Sequence, residues 1–134
     1  MFIHLKRGEK LYVNGAVLRV DRRTSLEFLN NVTFLLENHV MQPDEATTPL
    51  KELYFVTQTM LMDPANAHMT LEVYKHLSHR ARQSVTDNKV TEQIDLADQK
   101  IASGRYFDAL RYLRNCFDEE KHVAIPSSNA EEAA

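Results

Sequence analysis

The sequence predicts an α+β fold. A small antiparallel β-sheet or half-barrel of about five strands comes first, followed by about four α-helices ending in an αα-hairpin. Three observations predict it. Apolar and polar residues alternate in short runs over residues 1–42. Asn14-Gly15 interrupts that pattern with the strongest short hairpin signal. Beyond Gln42-Pro43-Asp44 the apolar residues recur at helical spacing instead. The chain therefore divides into a β-rich segment (1–42), a helical segment packed on it (43–122) and a disordered acidic tail (123–134).

Each element has a local reason. In the first strand Phe2 and His4 fall on one side, Ile3 and Leu5 on the other. Arg7-Gly8-Glu9 makes a turn. Residues 10–13 and 16–20 flank Asn14-Gly15, whose positive φ angles suit a two-residue type I′ loop. That loop sets Val13 opposite Ala16, Tyr12 opposite Val17, Leu11 opposite Leu18 and Lys10 opposite Arg19. Leu11, Val13, Ala16, Leu18 and Val20 then share one face, which reads as core. Asp21-Arg22-Arg23 makes the next turn. Residues 25–29 and 32–37 flank Asn30-Asn31, a second hairpin candidate.

Thr48 and Pro49 are an N-cap and first-turn pair for a helix that is apolar nearly all round, from Leu50 to Met62. Asp63-Pro64 stops it. Ala67, Leu71, Tyr74, Ala81 and Val85 mark a second helix. Val90, Ile94, Ala97 and Ile101 mark a third, ended by Ser103-Gly104. Tyr106, Ala109, Leu110, Leu113 and Phe117 mark a fourth. A β-segment of this size is near the lower limit for an independent core. It is expected to pack on the first helix or on a second copy of itself, making a homo-oligomer.

Charge is unevenly spread. The 134 residues carry 16 Lys+Arg and 19 Asp+Glu, a net −3 that argues against nucleic acid. Residues 116–134 alone hold −4, so the remainder is slightly basic. The cations concentrate at the first hairpin and its flanking turns. Lys10 and Arg19 face each other beside Tyr12; Arg22 and Arg23 follow, with Lys6 and Arg7 as secondary members. Directly opposed cations repel, and an anion would relieve them. Phosphates neutralised by Lys and Arg, with an aromatic ring for base stacking, are one such anion. A solvated strand edge guarded by charge is the other reading.

Other constellations carry less chemistry. His68, Glu72, His76 and His79 share a helix face at metal-compatible spacing, but no further ligand set completes a site. An exposed polar face with Lys75, Arg80 and Arg82, a candidate second basic surface, accounts for the same residues. Cys116 has no activating motif, and a single cysteine fits a reducing cytoplasm. Glycine-rich phosphate loops, nucleophile elbows and carboxylate pairs are lacking, so neither enzymatic activity nor a cofactor or metal is expected. No stretch is apolar enough to span a membrane.

Two stretches resemble the FlbT family of flagellar regulators. One is Leu5-Lys6-Arg7-Gly8-Glu9-Lys10 with Val13-Asn14-Gly15-Ala16-Val17. The other is Met41-Gln42-Pro43-Asp44-Glu45-Ala46-Thr47-Thr48-Pro49 with Leu53-Tyr54-Phe55. The resemblance runs from about residue 3 to about residue 118. It implies a cytoplasmic post-transcriptional regulator that binds the 5′ untranslated leader of flagellin mRNA and alters its translation and stability. It also implies action alongside a second regulator, FlaF. Family members include repressors and activators, and no catalytic residues come with the resemblance. RNA contacts are expected from Lys6, Arg7, Lys10, Tyr12, Arg19, Arg22 and Arg23. The alternative is an interaction protein whose helices bind flagellin or FlaF, with only indirect effects on mRNA.

Overall fold

The computed structural model describes residues 1–118, which form two compact units, 1–40 and 41–118. The expected acidic tail lies outside the described residues.

The first unit is built on one long β-ribbon. Strands β1 (Phe2–Leu5) and β4 (Thr24–Glu27) pair with each other, and β2 (Lys10–Val13) pairs with β3 (Ala16–Arg19). In every one of these pairs the partner numbers add to 29. The ladder is thus a single hairpin centred on Asn14-Gly15, in unbroken register from residue 1 to residue 28. Asn14 and Gly15 have φ of 55° and 87°, as the type I′ loop requires. The expected pairing of residues 10–13 with 16–19 is the observed one.

The ribbon is interrupted once, at 6–9 and 20–23, and there it divides into two small sheets. β5 (Phe34–Leu36) adds to the free side of β2, giving the order β3-β2-β5. Alternation carries through the interruption. Ile3, Leu5, Leu11 and Phe34 form the core, joined at its margins by Val13, Val20, Leu26, Phe28 and Leu36. The Phe28 and Phe34 rings stack with centroids 5.0 Å apart.

Two expectations for this unit are corrected. Asn30-Asn31 makes no hairpin: β4 pairs with β1 and β5 with β2, so 28–33 is a crossing between sheets. The constant register had already assigned β4 its partner. The face of Ala16 and Leu18 is not core either. β3 lies at the sheet edge, and all four of its residues are exposed, Leu18 at 46%. Of that face, Leu11, Val13 and Val20 are covered by the core, and Ala16 and Leu18 are not.

The second unit holds α1 (Pro49–Met62), α2 (Ala67–Ser84), α3 (Asn88–Ala102) and α4 (Tyr106–Asn115). Thr48 caps α1 by accepting the Lys51 N–H at 3.2 Å, with Pro49 in the first turn. Asp87 caps α3 through the Lys89 N–H at 2.8 Å, and Gly104 follows α3 with φ of 74°. α1 packs against α2 and α4, and α3 against α4, as the expected αα-hairpin. Leu53, Tyr54 and Met60 of α1 are buried, and the Tyr54 and Phe117 rings meet at 5.0 Å.

One buried polar side chain organises the entry to this unit. Gln58 Oε1 accepts the Met41 N–H at 2.8 Å, and its Nε2 donates to the Met41 carbonyl at 2.9 Å. Gln58 is 2% exposed and so acts as a missing strand partner for one residue of irregular backbone. Replacing it by leucine keeps the volume but orphans both main-chain groups. Gln58→Leu is expected to cost roughly 2–4 kcal/mol, read as a lowered urea midpoint with an unchanged slope.

Candidate nucleic-acid interface

The interruption in the ribbon is where the cations gather. Lys6, Arg7, Gly8 and Glu9 form a turn closed by the Glu9 N–H to the Lys6 carbonyl at 3.0 Å. Gly8 stands third in it with φ of 81°, the left-handed position a type II turn reserves for glycine. This turn is held directly against the second one. The Gly8 N–H donates to the Val20 carbonyl at 2.8 Å, and the Val20 N–H to the Glu9 carbonyl at 3.3 Å. Thr24 Oγ1 steadies the second turn by donating to the Arg22 carbonyl at 2.6 Å.

The main chain therefore gathers residues far apart in sequence. Lys10 and Arg19 are direct cross-strand partners. Lys6 and Arg23 are the next positions beyond the Leu5–Thr24 pair. Arg7 and Arg22 lie within the same two turns. Lys6, Arg7, Arg19, Arg22 and Arg23 are exposed, and Lys10 is half-buried. Tyr12, half-buried, stands two residues from Lys10 on the same face, opposite Val17 and Leu35.

Three carboxylates temper the cluster. Glu9 Oε1 accepts the Lys6 N–H at 2.9 Å, and Glu37 Oε1 accepts the Lys10 N–H at 2.7 Å. Asp21 lies 3.5 Å from the Arg22 guanidinium, with both side chains more than four-fifths exposed. Six cations against three acids leave the neighbourhood at +3. Glu37 was not foreseen as a member. It reaches Lys10 only because β5 pairs with β2, a partnership that no local motif signals.

The helical unit differs from expectation. The cations of α2 do not make a second basic surface, because each has an acidic neighbour. Lys75 pairs with Glu72 at 3.5 Å, and Arg80 with Glu52 of α1 at 3.1 Å. Arg82 contacts Asp95 at 2.5 Å and Asp98 at 2.6 Å, both on α3. Asp98 also accepts from the Tyr74 hydroxyl at 2.7 Å and from Ser78 Oγ at 3.0 Å. This network closes one side of a cleft of about 490 Å³ whose apolar lining includes Leu71 and Ile101. His68, Glu72, His76 and His79 are exposed, and the described residues include no group of three ligands placed to hold a metal. Cys116 is buried, its thiol 3.7 Å from the Tyr112 carbonyl. No helix among the described residues is long and apolar enough to cross a membrane.

Comparison with known proteins shows the family. The family model "Flagellar protein FlbT" matches residues 1–124, and the chain belongs to the FlbT family. It is 44% identical over 121 residues to a probable flagellum biosynthesis repressor protein FlbT of Allorhizobium ampelinum, covering 90% of this chain and 81% of that one. A protein of the same description from Chelativorans sp. is 40% identical over 131 residues, covering 98% and 90%. The Agrobacterium fabrum relative is 43% identical over 121 residues, covering 90% and 81%. No solved structure matches.

Two outcomes follow from this geometry. A methyl group on Gly8 meets no atom within 4 Å, so Gly8→Ala tests backbone strain alone. It is expected to cost roughly 1–2 kcal/mol, measured by thermal unfolding. Burial drives the Tyr54 hydroxyl well above its ordinary pKa of 10.0. Burial, the hydrogen bond to Asp98 and the charge of Asp98 do the same to Tyr74. With folded values raised, their contribution to stability is complete below pH 10 and falls as the pH climbs beyond it. Absorbance near 295 nm should show Tyr54 and Tyr74 ionising together with alkaline unfolding, and Tyr54→Phe should remove its share of that step.

Proposed function

We propose that this protein is a post-transcriptional regulator of flagellin synthesis that binds the 5′ untranslated leader of flagellin mRNA through the basic interruption of its β-ribbon. The observation that carries this reading is the hydrogen-bonded union of two turns. It concentrates Lys6, Arg7, Arg22 and Arg23 beside the Lys10–Arg19 pair. Such density of like charge is unfavourable without an anion, and a polyphosphate backbone supplies one in register with several cations. Tyr12 beside Lys10 offers a ring on which an unpaired base can stack. Membership of a family whose relatives are described as flagellum biosynthesis repressors supports the regulatory half of the reading. Selectivity would come from unpaired loops of the leader, since A-form helices hide their major-groove edges. Repression of translation follows if the bound segment overlaps the ribosome's landing site.

The second reading is an adaptor for flagellin or FlaF. Met69 and Val73, one helical turn apart on α2, are 69% and 50% exposed, which suits a partner helix laid along α2. Purified protein that shifts leader RNA alone, against competitor RNA at physiological salt, separates the two. Co-purification with flagellin or FlaF and no RNA favours the adaptor.

For the RNA reading, joint Arg22→Ala and Arg23→Ala substitution should weaken leader binding and reduce the salt slope by about 1–1.5. A titration at several salt concentrations checks this, and an unchanged slope removes these residues from the interface.

A further inference from the structure

We infer that the open edge of β3 pairs with the same edge of a second copy of this chain, in one defined antiparallel register. The inference starts from which main-chain groups β3 leaves unused. In a two-residue hairpin the closing pair, Val13 and Ala16, is the hydrogen-bonded one, and bonded and non-bonded pairs then alternate. Leu11–Leu18 is therefore bonded, whereas Tyr12–Val17 and Lys10–Arg19 are not. The bond from the Val20 N–H to the Glu9 carbonyl keeps this phase. The N–H and C=O of both Val17 and Arg19 consequently point away from β2. Among the described residues β3 ends its sheet, and every one of its residues is exposed. Val17 is 60% and Leu18 46% exposed, on opposite faces of the same strand.

A copy of β3 satisfies these groups well. Setting Val17 opposite Arg19 of the second copy, and Arg19 opposite its Val17, forms four main-chain hydrogen bonds about a two-fold axis at Leu18. The competing symmetric registers are worse. Arg19 against Arg19 stacks guanidinium groups beside Lys10, and Val17 against Val17 engages fewer of the open groups. The favoured register places each Arg19 against a valine and joins the two exposed leucines on the core side. Antiparallel pairing also sends the two basic interruptions to opposite ends of the joined sheet. At about 3.4 Å per residue they begin roughly 14 Å apart, beyond the screening length of roughly 10 Å in 0.1 M salt. Charge thus favours this arrangement over any that brings the interruptions together.

The result is a six-stranded sheet, β5-β2-β3 and its symmetry mate. On the face of Lys10 one row reads Lys10, Arg19, then Val17 and Tyr12 of the second copy, and the symmetric row reads the reverse. Cations from both copies then share one face, which is closed off beside Tyr12, where Leu35 is 1% exposed. That consequence rests on the RNA reading; the pairing itself does not. Four hydrogen bonds and a leucine pair make a small interface, so association should be concentration-dependent, in the micromolar range or weaker.

Disulfide trapping in the full chain tests it without RNA. Leu18 and its mate form a non-hydrogen-bonded pair, with Cα atoms about 4.5 Å apart, within disulfide reach. Leu18→Cys should form a covalent dimer on mild oxidation at least tenfold faster than Val17→Cys, whose mates are diagonal. Wild type, with Cys116 buried, should form none. Val17→Pro removes an N–H that the β2 ladder does not use. Added to Leu18→Cys, it should abolish trapping while leaving the melting temperature within a few degrees. Equal rates for the two cysteine variants, or a Leu18→Cys protein that stays monomeric with reactive thiols, would overturn the inference. If Val17→Pro unfolds the unit, the comparison of cysteine positions still decides. Trapping that fails while leader RNA still binds sinks the pairing alone; trapping that succeeds in protein that ignores RNA sinks the RNA reading alone.

Discussion

Asn14 and Gly15 both occupy left-handed backbone, and a two-residue loop of that kind admits one register. That register extends to Met1, whose carbonyl accepts the Phe28 N–H at 2.9 Å. Because side chains alternate, it decides which residues of the ribbon face inward. Ile3, Leu5 and Leu11 from one arm meet Val20, Leu26 and Phe28 from the other. A slip of one residue would turn this set outward and leave a unit of this size without a core. The same constraint fixes the outward set, so the opposed Lys10 and Arg19 are its consequence. The turn that makes the core also makes the charge cluster.

The helical unit meets its constraints differently. Its helices bury broad apolar surfaces, and two polar arrangements remove ambiguity from how the chain enters and closes. Gln58 gives Met41 both partners that a strand would have given. Arg82 and Ser78 on α2 and Asp95 and Asp98 on α3 bridge helices that otherwise leave a cleft between them. The Arg82 side chain is 31% exposed, so solvent screens the bridge and its contribution is modest. Its geometric role is larger. Three different donors converge on one carboxylate, and that carboxylate has a single place to be.

Local chemistry was legible in the sequence; partnerships at a distance were not. The Asn14-Gly15 loop, the Thr48-Pro49 helix start, the Asp63-Pro64 stop and the Gly104 terminus all act within a few residues, and each carried its own signature. Asn30-Asn31 carried a hairpin signature too, but its would-be strands had better partners elsewhere. β1 and β2 outcompete a local turn because both already belong to the core. The exposure of Leu18 was hidden for a similar reason. Alternation tells which face a residue occupies, not whether anything covers that face. For the candidate interface, the residue types and the Lys10–Arg19 pairing were readable. The hydrogen bonds that join the two turns, and the approach of Glu37, depend on tertiary pairing. The acidic partners of Arg80 and Arg82 lie on other helices and cancel a charge pattern that looked open along α2 alone.

The charge cluster also has a cost that bears on its purpose. Cross-strand Lys10 and Arg19 repel, and the turns add four more cations within a short span. A ribbon selected only for stability would place acids at some of these positions, since opposite charges across a strand pair are favourable. The acids that are present do other work: the Glu9 and Glu37 carboxylates each accept a main-chain N–H. They hold the turns in shape and leave the positive excess in place. Lys10 and Arg19 end the ladder, and the other four cations lie in the two turns that main-chain bonds join just beyond it. On the proposed RNA reading, a phosphate bound there would relieve that repulsion. On the RNA reading, binding and folding would be linked at this site, because an anion that binds only the folded ribbon stabilises it.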